Sequence, residues 1–352
     1  MENIIEYREK DKKNTGVFAL KKIKKGTLIL TEKAQFKPKF EHGFECLSSK
    51  KYGDCKPCIE ELMAAFNNMN PMDQDEYMKL SNKFDTEHFG PKLVKLERMS
   101  RQMFPASGNY LSYLLIADIL GIYLSNLWGH DGSISLNAFR FKHSCSPNTN
   151  YYGDNKDVLI IKATSKIAIG EEITANRYCS RLFMKDLKTR QKFLWEQFGF
   201  KCQCDLCEME AKDGDNFRYP VYANMVDHVK NLKERFKQQT NEQREETCRR
   251  GIASYKEMYK CAKECSANRL YIINDILLPG FDWAVAVHLF ATKISNKALA
   301  ETFKKEAECF AKAGLQIAEI LFGKYSPDWR ELKNKFKWEN ILKLYEESKN
   351  SK

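Results

Sequence analysis

The spacing of apolar residues changes period three times along this chain. Over residues 15–36, "TGVFALKKIKKGTLILTEKAQF", apolar and polar positions alternate on either side of Gly26, which predicts a hairpin-like pair of short strands. From Cys58 to about Ser100 the spacing turns helical, with Ile59, Leu62, Met63 and Phe66 at i, i+3, i+4 and i+7. Pro71 stands where a second helix would begin. The run "YLSYLLIADILGIYLSNLW", Tyr110 to Trp128, is apolar nearly all round and predicts a buried helix. Strand signals return from Ser133 to about Tyr178, with β-branched runs around a turn at Gly170. From Asn216 onward the pattern is amphipathic helix, in segments near 219–238, 242–265, 281–293, 296–322 and 328–349. The polar, turn-rich "EAKDGDN" at 210–216 marks the boundary before that tail.

Composition narrows the classes. A chain of 352 residues with 43% apolar content is long enough for about two domains with real cores. The opening "MENIIEYREKDKKN" is charged from its start and does not read as a secretory signal. Asp118 stands at the middle of the most apolar run, and a carboxylate at mid-bilayer costs about 3 kcal/mol, so a core helix rather than a membrane span is expected. Twelve cysteines without a signal point to a reducing compartment, cytoplasm or nucleus, and to thiols or metal ligands rather than disulfides. The net charge of +11 favours acidic partners such as nucleosomes but is spread along the chain and selects none. It lacks the basic stripe with interleaved aromatics of a nucleic-acid-binding surface.

The candidate chemistry begins with "FGFKCQCDLCE", where Cys202, Cys204 and Cys207 form C-x-C-x-x-C. Three thiolates on one tight loop leave one corner of a zinc tetrahedron open. Cys145 in "FKHSCSPN", Cys179, Cys248 and Cys265 are candidates for the fourth. Cys145 suits the role because its loop, closed by Pro147, can present a thiolate without breaking a helix. A second group, His42, Cys46, Cys55 and Cys58, includes the half-site "C-K-P-C" and could hold one metal or form a solvated loop.

The order "GVFALKKIKKGTLIL", "FKHSCSPNTN", "GEEIT", "CQCDLC" resembles the SET-domain protein-lysine methyltransferases, most closely their SET-and-MYND branch and related fungal-type proteins. The resemblance covers residues 1 to about 210, and the helical tail looks like the C-terminal domain of that branch. It implies an α+β fold: a SET domain of short β-strands at 1–36 and 105–180, a mainly helical insert at 37–104 in place of a MYND finger, a post-SET zinc region at 181–212, and an all-α domain at 213–352. It implies Cys145 as the fourth ligand of a structural zinc with Cys202, Cys204 and Cys207. It implies S-adenosylmethionine as cofactor, met by Lys13, Asn14, Gly16, Asn126, Lys142, His143 and Phe200. It implies a protein substrate bearing a target lysine, histone or non-histone, and Tyr178 as the catalytic tyrosine.

Two positions depart from the family pattern. The asparagine expected before the histidine of "HSC" is Lys142, which places a cation where the sulfonium binds. The tyrosine expected at the fifth residue after Glu172 is Arg177, and Tyr178 follows one residue late, so it serves only if a bulge absorbs the extra residue. The alternative is a non-catalytic SET protein that acts as a binding scaffold. The family's MYND finger needs about twice the ligands that 42–58 offers, so a shortened insert is expected there.

Overall fold

In the computed structural model the described residues are 4–11, 14–38, 56–80, 82, 98, 101, 110–126, 133–153, 158–177, 185–213, 218–264, 272–324, 326–337 and 339. The chain divides into two compact units. The first comprises Met1–Ser144, Tyr151–Tyr178 and Lys188–Gln203, and the second Cys145–Asn150, Cys179–Leu187 and Cys204–Lys352.

The strands form three small sheets. β1 (Ile5–Asp11) pairs antiparallel with β2 (Asn14–Ala19), from Ile5 opposite Ala19 to Asp11 opposite Asn14. β3 (Leu28–Lys33) pairs antiparallel with β6 (Val158–Ala163), which lies between β3 and β5 (Thr149–Gly153). β4 (Lys142–His143) and β7 (Thr174–Ala175) form a two-residue parallel pair.

The strands flanking Gly26 do not pair with each other, contrary to the expected hairpin. Backbone donors and acceptors must be satisfied, and β2 already spends both of its edges. One edge meets β1; on the other, the Ile173 N–H donates to the Val17 carbonyl at 2.7 Å and the Ala19 N–H to the Glu171 carbonyl at 3.0 Å. β3 therefore finds its partner far along the chain. The turn itself exists: Gly26 has φ +85°, a conformation that side chains disfavour, and its N–H donates to Ala163 at 2.8 Å.

Helices α1 (Lys56–Asn67), α2 (Pro71–Met78) and α3 (Tyr110–Ser125) supply much of this unit's core. Asn70 caps α2 by accepting the Asp73 N–H at 2.9 Å, and Pro71 fits the first turn, where no N–H is missed. Along α3, Ala117, Ile119, Leu120, Ile122 and Tyr123 are buried, as its all-round apolarity requires. The Tyr77 hydroxyl donates to the Ile119 carbonyl at 2.8 Å, and the Tyr77 ring packs on Phe36 and Phe66. Cys58 is disulfide-bonded, where a thiol was expected, so its sulfur is no thiolate for a metal. His42, Cys46 and Cys55 lie outside the described residues.

Two side chains of the β3 segment hold the stretch that leads into β4. The buried Glu32 carboxylate accepts the Asn137 N–H and side-chain amide at 3.0 Å each and the Ala138 N–H at 2.9 Å. Gln35 Oε1 accepts the Leu136 N–H at 3.0 Å.

From residue 205 on, the regular elements among the described residues are all helical, with no strand. α4 (Leu187–Phe198) precedes α5 (Asp205–Asp213), α6 (Arg218–Arg235), α7 (Asn241–Glu264), α8 (Leu278–Lys293), α9 (Lys297–Phe322) and α10 (Pro327–Lys335). A π-helical turn, Ile272–Leu277, runs into α8. Phe281, Ala284, Phe303, Ala307, Phe310 and Leu321 help form a separate core. Gly251 and Gly314 allow close packing: a Cβ would stand 2.3 Å from the Trp283 indole at the first and 2.3 Å from the Phe336 ring at the second. Among the described residues one helical stretch, Ile272–Lys293, is long and apolar enough to cross a membrane. Its Ile273, Ile276, Leu277, Ala284 and Val285 are instead fully buried in this core.

Replacing Glu32 with alanine leaves three N–H donors without their acceptor. The urea midpoint should fall by an amount equivalent to about 2 kcal/mol, and Glu32→Gln, which keeps one acceptor oxygen, should lose less. Equal midpoints for all three proteins would show that this carboxylate does not hold the segment.

Candidate functional site

The β4–β7 pair assembles the candidate cofactor residues. Lys142 lies opposite Thr174 and His143 opposite Ala175, and the Ser144 N–H continues the pairing to the Ala175 carbonyl at 3.0 Å. Glu172, two residues before Thr174, brings its Oε1 within 3.5 Å of the Lys142 Nζ. Glu172 also faces Gly16 of β2, where a Cβ would stand 2.6 Å from the same oxygen and 2.8 Å from the Phe18 ring. Glycine leaves this carboxylate its room without a shift of either side chain.

His143 links two further candidates. Its Nδ1 accepts the Arg177 N–H at 3.3 Å, so in the neutral ring the proton sits on Nε2. Its ring meets Phe200 edge-on, with centroids 6.0 Å apart. The Arg177 guanidinium donates to the buried Asn126 Oδ1 at 2.9 Å and lies 5.5 Å over the Phe139 ring. The Asn126 amide nitrogen donates back to the Ile122 carbonyl at 2.8 Å, which closes the end of α3. Asn126 is thus held by helix and guanidinium together.

The four cysteines of the candidate metal centre converge. The sulfurs of Cys145, Cys202, Cys204 and Cys207 all lie within 4.8 Å of one another, and all but Cys204 are buried. Cys207 and Cys145 are 3.7 Å apart, close to the edge of about 3.8 Å that a tetrahedron with zinc–sulfur bonds near 2.3 Å would have. The residues present therefore fit a zinc ion. Local structure sets the ligands in place. Gly199, at φ +74°, ends α4, and its N–H donates to Trp195 at 3.0 Å. Gln191 of α4 then grips the Cys202 backbone with both ends of its amide, accepting the Cys202 N–H at 2.9 Å and donating to the Cys202 carbonyl at 2.7 Å. α5 begins directly after Cys204, so Cys207 projects from its first turn.

Of the residues expected at the site, Gly16, Asn126, Lys142, His143 and Phe200 are joined by this chain of contacts. The backbone of Asn14 pairs with Asp11 at the end of the β1–β2 ladder. Lys13, Tyr178, Cys179 and Cys265 lie outside the described residues. Cys248 is buried in the helical core, where burial first and Glu245 second push its thiol up to about 12; it is not part of the sulfur cluster. Sequence reasoning missed Glu172 as the partner of Lys142 and Gln191 as the clamp on Cys202. Neither pairing has a local signature. A cavity of about 360 Å³ in the helical unit, walled by Phe236, Trp283 and Phe290, is lined by none of the expected site residues.

Residues 14–176 match the SET domain family. A 126-residue stretch is 30% identical to the putative SET domain-containing protein L678 of Acanthamoeba polyphaga mimivirus, covering 33% of this chain and 48% of that protein. Over 97 residues the chain is 36% identical to the histone-lysine N-methyltransferase set5 of Schizosaccharomyces pombe, covering 26% of this chain and 30% of that one. Over 83 residues it is 35% identical to the histone-lysine N-methyltransferase SMYD3 of Homo sapiens, covering 24% and 18%. The matches thus span less than half the length of these relatives. A crystal structure of the SET domain of LSMT bound to lysine and AdoHcy aligns over 94% of this chain and 91% of its own, at 13% identity and a TM-score of 0.31, a likeness too slight to carry an argument. One segment of the chain, residues 14–176, is thus similar to SET domains, and two of the relatives of that segment are named as histone-lysine methyltransferases.

Zinc analysis of purified protein should return about one ion per chain, and Cys145→Ser or Cys202→Ser should reduce it to well under half. Full retention in both variants would remove these sulfurs from the metal's ligands.

Proposed function

We propose that this protein transfers a methyl group from S-adenosylmethionine to the side-chain amine of a lysine in a protein substrate, histone or non-histone. The supporting observation is the joining of Gly16, Lys142, His143, Phe200 and Asn126 around β4 and β7 inside a segment that matches the SET domain.

These residues suit the cofactor. On β2, Gly16 stands beside the Glu172 carboxylate, with Lys13 and Asn14 before it in sequence for the cofactor's carboxylate end. Phe200 offers a ring to the adenine beside the backbone of His143. Cys145, Cys202, Cys204 and Cys207 hold a structural zinc that fixes the segment after Phe200, and the helices beyond form the C-terminal domain. When bound, S-adenosylmethionine supplies an activated methyl group on a sulfonium.

The protein's own task is then to position and desolvate. The substrate lysine must first shed a proton, from an ordinary pKa of about 10.4, and a narrow apolar channel favours that loss. Tyr178 is assigned to aim the neutral amine through its hydroxyl, and in-line placement of the reacting atoms carries most of the acceleration. Arg177 holds Asn126 and leaves the aromatic hydroxyl to its neighbour. The reaction is assigned to the cytoplasm or nucleus, where lysine-bearing protein partners are met.

Isothermal titration of S-adenosylmethionine into zinc-loaded protein should give saturable binding, and tritiated methyl transfer to core histones or a lysine peptide library should follow. Tyr178→Phe should slow transfer by about 100-fold. No heat and no thermal shift would contradict the enzyme and leave the scaffold reading, whereas an unchanged rate in Tyr178→Phe would take the role from that residue alone.

A further inference from the structure

We propose that Glu172 is a positioning residue that cancels the charge of Lys142 and so lets the cofactor pocket accept a positively charged sulfonium. The inference rests on the methyl-transfer reading above and deepens it.

Lys142 brings a cation to β4, opposite Thr174 in the parallel pair. A lysine charge beside the place of the sulfonium, if not balanced, would repel it. Glu172 supplies the opposing charge, with its Oε1 3.5 Å from the Lys142 Nζ. Both side chains are mostly withdrawn from water, at 29% and 26% exposure, so solvent screens the pair less than on an open surface.

Three independent features fix the carboxylate in this place. Glu172 pairs with Phe18 in an antiparallel bridge, and the next residue, Ile173, donates its N–H to the Val17 carbonyl at 2.7 Å. The parallel register sets Glu172 two residues before Thr174, diagonal to Lys142, within reach of two long side chains. The missing side chain of Gly16 leaves the carboxylate its space, since any Cβ there would stand 2.6 Å from Oε1. The space left by the glycine, the acid and the lysine form one unit.

A general salt bridge for stability would not distinguish ligands by charge; a charge-balancing pair would. S-adenosylmethionine carries the sulfonium, whereas S-adenosylhomocysteine is a neutral thioether of nearly the same shape. The dissociation constants of both should be measured on zinc-loaded full-length protein. In Glu172→Gln the affinity for the cationic ligand should fall relative to the neutral one by on the order of tenfold. In Lys142→Met the ratio should move the opposite way, and this variant alone decides the matter if Glu172→Gln fails to fold. The double variant should return close to the parent ratio. An invariant ratio with both ligands bound contradicts this inference and spares the methyl-transfer reading. Binding of neither ligand to the parent protein contradicts that reading, and this inference falls with it.

Discussion

A parallel pairing only two residues long, Lys142–His143 against Thr174–Ala175, underlies the candidate cofactor site. It sets Lys142 against Glu172, turns His143 toward Phe200 and brings Arg177 to Asn126. So short a parallel ladder contributes little by itself, because its bonds are slanted and few. Its neighbours hold it. Ile173 is tied back to β2, the Ser144 N–H extends the ladder by one bond, and Glu32 and Gln35 anchor residues 136–138 upstream. Each of these contacts crosses a long sequence separation, so the site can form only after the strands have found their partners.

The thiol cluster answers a different physical need. Four ionised sulfurs within 4.8 Å of one another would repel strongly, so they are stable together either protonated or around a cation. A bound zinc ion would settle this with four bonds, and its binding free energy would become folding free energy. The amide of Gln191 and the glycine stop of α4 shape the segment before any ion arrives. A metal at the four sulfurs would share with the backbone the work of placing the segment that follows Phe200.

Features with short-range causes were readable in the sequence. C-x-C-x-x-C is compact enough to announce a cluster of neighbouring sulfurs, and Asn70-Pro71 announces a helix start that the structure has. The tail helices fall near their expected limits: 219–238 corresponds to Arg218–Arg235 followed by a 3-10 turn at Phe236–Gln238. The next-but-one helix begins earlier than 281, because Pro279 sits in the first turn of α8, where proline is tolerated, and a π-helical turn runs into it. Strand partners were not readable. The alternation around Gly26 shows two strands but not that one edge of the sheet is claimed by residues 171–173. Lys142 was legible as a misplaced cation, yet its counter-ion comes from 30 residues further on, and periodicity carries no information about such a pair. The path of Tyr178 and the 39–55 insert lie outside the described residues.

The central claim is that the faces of β2, β4 and β7 together with Phe200 form one cofactor-binding surface. Amide hydrogen exchange of the zinc-loaded protein with and without S-adenosylhomocysteine tests it most directly. The account predicts slowed exchange confined to peptides covering 14–18, 142–144, 172–177 and 198–204. Protection confined to the helical residues beyond 218, or no protection at a saturating ligand concentration, would contradict it.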